Sequence, residues 1–189
     1  PLANPAGARF QLIGVFSEQI MRPMAEAARA LGVQRGMVVH GLDGQDELSV
    51  CGPTRIVQFS ETGAVTEATV TPEEFGLGTW PIADLTGGNA EENAELARAV
   101  LHGGGRPAIR DAICLNAGAA LALAGIAADI ADGADRVRQA LTDGTVAELV
   151  KRLGGAVAEP PTDDTPTPSG SDPSEAEDAA GADPEMAAR

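Results

Sequence analysis

Apolar residues near the start of the chain fall into short runs separated by one longer amphipathic span. Residues 9–15, Arg-Phe-Gln-Leu-Ile-Gly-Val, form a short apolar run that predicts a strand. Ser17 is placed to cap a helix over 18–31, and Gly32 marks its end. Ile20, Met24, Ala27, Ala28 and Leu31 recur at three- and four-residue spacing and predict the buried face of that helix. Pro23 falls in its first turns, where a missing N–H does little harm. A second apolar run, 33–39, completes a strand–helix–strand unit suited to a parallel crossover. Alternation of apolar and polar positions in 55–59 and 66–70 around a Thr62-Gly63 turn predicts an antiparallel hairpin. Thr71-Pro72-Glu73-Glu74 predicts a short helical turn, and 75–85 is irregular, with Trp80 expected to tuck onto the core.

The remainder reads as helices. Asn89 is the expected cap of a helix over 90–101, with Gly87-Gly88 supplying the tight turn before it. A glycine pair at a helix start also suits a phosphate, but Glu91 and Glu92 in the first turn would repel one. An alanine-rich, almost wholly apolar stretch predicts a central helix over 108–129, in which Asn116 is a polar group that needs a partner. Asp132 begins a further helix to about 141, and Thr145 caps a last one over 146–153. Arg136, Arg138, Lys151 and Arg152 are scattered over outward positions and predict a solvated face. The expected fold class is therefore α/β, a mixed and partly parallel sheet flanked by helices, occupying 1–159. From Pro160 onward the chain has six of its 13 prolines, eight acids and one arginine, so 160–189 is expected to be a disordered acidic tail.

Charge and composition narrow the function classes. The formal net charge is −15, from 28 acidic and 13 basic residues, the opposite of what replaces counterions on nucleic-acid phosphates. Four Phe, one Trp and no Tyr leave little for stacking on bases. No apolar run approaches the roughly 20 residues that span a bilayer, and no signal peptide is visible. Cys51 and Cys114 stand apart in apolar surroundings, as buried thiols do. These features predict a cytoplasmic protein without nucleic-acid or membrane partners.

The stretch with chemical content is His40-Gly41-Leu42-Asp43-Gly44-Gln45-Asp46-Glu47-Leu48-Ser49, directly after an apolar strand. Ligands in open α/β sheets gather beyond the carboxyl ends of strands. Adjacent Asp46 and Glu47 supply hard oxygens of the kind that hold Mg²⁺ together with substrate phosphates. An acidic pair in a turn is also commonly just solvated, so spacing alone leaves both readings open.

Four stretches share a resemblance. The acidic loop resembles the metal-binding loop of anthranilate phosphoribosyltransferases. Pro1-Leu2-Ala3-Asn4-Pro5 resembles that family's Gly-Pro-Leu-Thr-Asn-Pro motif, entered one residue in. Gly87-Gly88-Asn89-Ala90-Glu91-Glu92-Asn93-Ala94 is similar to its Gly-Gly helix start, and 111–121 to its Asp-Ala-Val-Leu-Leu-Asn-Ala helix. The resemblance runs to about Leu153 and makes the chain look like the carboxyl-terminal half of such an enzyme.

It implies transfer of the phosphoribosyl group of phosphoribosyl pyrophosphate to the amine of anthranilate, with Mg²⁺ as cofactor. Asp46 and Glu47 would be its ligands, and Pro1 would line the anthranilate channel. His40 would shape the loop by hydrogen bonding, and no residue of this chain would act as an acid or base. The complete protein would be a homodimer. The glycine-rich phosphate loop and the arginine that meets anthranilate would lie in the other half, so this chain alone would be inactive, with sheet edges and apolar patches exposed. Ala3, Gln45 and Cys51 depart from the family pattern, but none removes a carboxylate. Two alternatives are a relative of pyrimidine nucleoside phosphorylases and a noncatalytic homologue that binds ligands or partners.

Overall fold

The computed structural model describes residues 2–154. Pro1, the end of the expected domain and the acidic segment 160–189 lie outside them. Four strands, β1 (Phe10–Gly14), β2 (Arg35–Gly41), β3 (Thr54–Ser60) and β4 (Thr66–Val70), form one sheet in chain order. β1 runs parallel to β2, while β2–β3 and β3–β4 are antiparallel, with Val38 opposite both Ile13 and Val57. The expected mixed sheet is thus present. β1 and β4 are its outer strands among the described residues, and Phe16 just beyond β1 is 78% exposed.

β2 is buried on both faces, and its side chains divide by parity as a pleated strand requires. Val38 packs with Ile13, Val57 and Phe59 against Met21, Ala25 and Ala28 of helix α1 (Met21–Ala30). Met37 and Val39 face the other way, with Ile56, Leu48 and Val50, against Leu115, Ala119 and Leu123 of α3 (Pro107–Leu123). A third cluster joins α3 through Cys114 to Val100 of α2 (Ala90–Leu101) and to Ala134 and Leu141 of α4 (Ile130–Thr142). A last helix, α5 (Thr145–Gly154), follows α4. Both cysteines are free, and burial pushes the Cys114 thiol above its ordinary value.

Two helices differ from the pattern reading. The span 18–31 is not one helix: Ser17 Oγ accepts from Gln19 N, capping a 3-10 turn over Glu18–Ile20, and α1 starts only at Met21. Pro23 has no N–H to give to residue 19, so the α-helical ladder cannot start earlier. The buried face accordingly turns to Met21, Ala25 and Ala28, and Leu31 is 65% exposed. The long apolar helix ends at Leu123 rather than 129, because Gly125 takes φ 73° and turns the chain. Asp129 is instead the N-cap of α4, its side chain accepting from Asp132 N. β2 also sits two residues later than the run 33–39 and carries His40 and Gly41.

α3 and α4 meet at Gly118 and Gly133, where the backbones nearly touch. A Cβ on Gly118 would overlap Ala134 N, and one on Gly133 would overlap the Gly118 carbonyl. Backbone cannot yield as a flexible side chain would, so Gly118→Ala is expected to destabilise the fold by about 2 kcal/mol. Gly52→Ala, where a Cβ meets nothing within 4 Å, serves as the control. Urea unfolding followed by Trp80 emission measures both; equal midpoints would refute the close crossing.

Candidate functional site

The loop after β2 is built by local hydrogen bonds. Gly41 N donates to Gln45 O at 2.8 Å and Gly44 N to Gly41 O at 2.9 Å, closing a tight turn. Leu42 N donates to Pro53 O at 2.9 Å, drawing the turn against the start of β3. Asp43 is committed inside this turn, accepting from Gln45 N at 3.2 Å, from Gln45 Nε2 at 2.8 Å and from the Ser49 hydroxyl. Burial pushes its carboxyl up, but these bonds outweigh burial and hold it below the ordinary aspartate value. Ser49 Oγ in turn accepts from Cys51 N at 2.8 Å, and Ser49 N donates to Thr54 Oγ1 at 2.9 Å. His40 is buried, with Nδ1 2.8 Å from Val15 O. A carbonyl only accepts, so this ring nitrogen carries the hydrogen. The bond ties the ends of β1 and β2 together rather than acting within the loop.

Asp46 and Glu47 are held by their backbone neighbours and not by their carboxylates. The Asp46 carbonyl lies against Gly14 at the end of β1, in space that any Cβ there would fill. Leu48 is buried under α3, its N donating to Asn116 Oδ1 at 3.0 Å and its O accepting from Asn116 Nδ2 at 2.9 Å. The polar residue flagged in the apolar helix therefore finds its partner in the acidic loop. Between these two anchors, both carboxylates are exposed and make no hydrogen bond or ion pair among the described residues. Partial desolvation, and then the Asp46 charge, push the Glu47 carboxyl above the ordinary glutamate value.

Among the described residues no group of three or more His, Cys, Asp or Glu side chains converges on one point. That donor set does not suit a closed zinc or calcium cage. Two adjacent free carboxylates do suit Mg²⁺, which is held by one or two of them while waters and phosphates complete its shell.

Glu47 also lines a cleft of about 490 Å³ with Leu85, Asn93, Leu96, Ile113 and Asn116. This cleft between α2 and α3 was not apparent from sequence. Its only advance sign was Asn116, the polar residue lodged in an apolar helix. The glycine pair at its rim is structural. Asn89 Oδ1 accepts from Glu92 N at 3.0 Å and Glu92 Oε2 from Asn89 N at 2.9 Å, while Asn93 bonds both N and O of Gly88. The N–H of the capping Asn89 thus faces the Glu92 carboxylate, and Glu91 and Glu92 occupy the first turn of α2. Pro1 lies outside the described residues. Its neighbours Leu2 and Asn4 share a small crevice with Leu31 and Val33, beside the Phe10 end of β1. His102 is exposed at the end of α2.

Because the folded chain holds the Glu47 proton more tightly than the unfolded chain does, ionising Glu47 weakens the fold. That penalty is absent below the ordinary glutamate value and complete above the raised one. Asp46→Asn removes the neighbouring charge and is expected to bring Glu47 down, as read by carboxyl-carbon NMR titration. An unchanged titration would show that the two carboxylates do not sense one another.

Residues 1–147 match the family model described as glycosyl transferase family, a/b domain. The anthranilate phosphoribosyltransferase of Rubrobacter xylanophilus is 47% identical over 153 residues, which are 81% of this chain and 44% of that protein. The enzyme of the same name from Rhodospirillum rubrum is 43% identical over 160 residues, 85% of this chain and 46% of that one. Among solved structures, anthranilate phosphoribosyltransferase from Thermus thermophilus superposes with a TM-score of 0.74 at 41% identity, over 82% of this chain and 45% of that one. The Saccharomyces cerevisiae enzyme, solved in complex with PRPP and Mg, shares the fold at 22% identity and a TM-score of 0.68, over 75% of this chain and 41% of that one. The chain spans less than half the length of each of these relatives. Matched along its whole described sheet and through α4, the chain belongs to the glycosyl transferase family of this a/b domain, and its curated relatives there are anthranilate phosphoribosyltransferases.

Proposed function

We propose that this domain supplies the cation-binding side of a site that transfers a phosphoribosyl group to the amine of anthranilate, releasing pyrophosphate. The observation that carries the reading is the unequal fate of three acids in one loop. Asp43 is consumed by Ser49 and Gln45, whereas Asp46 and Glu47 are left exposed beyond the end of β2. Relatives that are 42% and 47% identical over 154 and 153 aligned residues bear the name of that transferase. Mg²⁺ bound there would neutralise the departing pyrophosphate and act as a template for it. Asp46 and Glu47 would hold it with two fixed negative charges, and Gly14 and Asn116 would keep the loop in place. Among the described residues no side chain near the pair is arranged as a general acid or base, so orientation and electrostatics would account for this chain's share of the rate.

The phosphate-binding groups would come from outside the described residues, because the α2 N-terminus is acidic. Pro1 as a contact to anthranilate and homodimeric assembly rest on the family resemblance, and a cytoplasmic location rests on the composition of the sequence. So does the absence of nucleic-acid or membrane partners, along with net charge and the lack of any helix among the described residues long and apolar enough to cross a membrane.

The test is turnover of anthranilate with phosphoribosyl pyrophosphate and Mg²⁺ by the full-length gene product. Asp46→Asn and Glu47→Gln are each expected to lower kcat/KM by about a hundredfold or more without lowering the melting temperature. Asp43→Asn is expected to act on stability instead. Thymidine phosphorolysis without anthranilate turnover would overturn the reading in favour of a nucleoside phosphorylase. The 189-residue chain alone is expected not to restore growth of a tryptophan auxotroph; growth would show that it carries a complete site.

A further inference from the structure

We propose that Asn116 is a positioning residue for the acidic pair, fixing the backbone of the Glu47-Leu48-Ser49 segment so that both carboxylates are set before any cation arrives. The inference rests on reading Asp46 and Glu47 as cation ligands. Asn116 sits in the middle of α3, one residue after buried Leu115 and two before Gly118, where the α3 backbone meets that of α4. Its carboxamide has one orientation that satisfies every group. Nδ2 donates to Leu48 O at 2.9 Å and to Ala112 O at 3.1 Å, leaving Oδ1 to accept from Leu48 N at 3.0 Å. A flipped amide would set two carbonyls against oxygen and an N–H against nitrogen's hydrogens.

The two bonds grip two successive peptide planes. Leu48 N belongs to the peptide that begins at Glu47, and Leu48 O to the one that runs into Ser49. On the other side, the Asp46 carbonyl, part of the peptide between the two acids, is seated on Gly14. Three consecutive peptide planes are thereby fixed, from β1 on one side and α3 on the other. The Leu48 side chain, 1% exposed, anchors the same segment in the core. Among the described residues no hydrogen bond ties down the carboxylates themselves, so the freedom left to them is side-chain rotation. That is the arrangement in which a group outside the ligand set governs cation affinity.

A structural role alone would loosen the whole core, whereas positioning is local, and the experiment separates them. Mn²⁺ is titrated into the full chain and its binding followed by loss of the free-ion EPR signal. Amide hydrogen exchange is read at Leu48 and at Val38 in the centre of β2. Asn116→Ala is expected to raise the Mn²⁺ dissociation constant by about tenfold and to speed exchange at Leu48, while Val38 protection and the Trp80-monitored unfolding midpoint stay near parent values. Parent-like Mn²⁺ affinity in Asn116→Ala would overturn the proposal. So would a loss of affinity matched by equal loosening at Val38. If the parent binds no Mn²⁺, or Asp46→Asn binds it equally well, the ligand reading itself fails and the proposal falls with it. Should Asn116→Ala not fold, the metal-free parent decides. Leu48 exchange as slow as that of β2, and unchanged by Mn²⁺, upholds a preset loop, whereas exchange at an open-loop rate overturns it.

Discussion

Helix α3 is an apolar cylinder with two polar anchors, and the chain around the candidate site hangs from them. Asn116 holds Leu48, and Asp111, itself 7% exposed, accepts from Trp80 Nε1 at 2.9 Å. Trp80 N in turn donates to Val50 O at 2.9 Å, so the segment leading to α2 is laced to the segment leaving the acidic loop. Buried hydrogen bonds of this kind are directional where apolar packing is not. Leu115, Ala119 and Leu123 set how close α3 lies to the sheet, and Asn116 and Asp111 set which loop atoms meet it.

β2 was legible as a continuous apolar run because both of its faces are buried, against different helices, and β3 was legible from its alternation. The hairpin was legible from alternation around Thr62-Gly63. Helix limits were less so. In 117–128 alanine and other apolar residues run on without a polar break, so only the backbone angle at Gly125 reveals where α3 stops. At the start of α1, Ser17 looked like an α-helix cap, but the proline six residues later dictates a 3-10 turn first.

The three loop acids were equivalent on paper. What distinguishes them is reach: Asp43 lies within hydrogen-bonding distance of Ser49 and Gln45, contacts that close only when the turn at Gly44 forms. The partner of Asn116 lies 68 residues away in sequence, beyond any local pattern. The same holds for Gly14, whose importance comes from a carbonyl on another loop. Motif resemblance located the acidic pair, and folding shows why those two carboxylates, and not the third, are left free.

The contact between Gly118 and Gly133 extends the site's dependence outward. α4 contributes no lining residue to the cleft, yet it braces α3 backbone to backbone just two residues beyond Asn116. A carbon gained at either glycine would push α3 toward the sheet or away from it and carry the asparagine along. Sequence drift on the outer layer is therefore constrained by chemistry on the inner one, and a substitution with no visible link to the carboxylates can still misaim them.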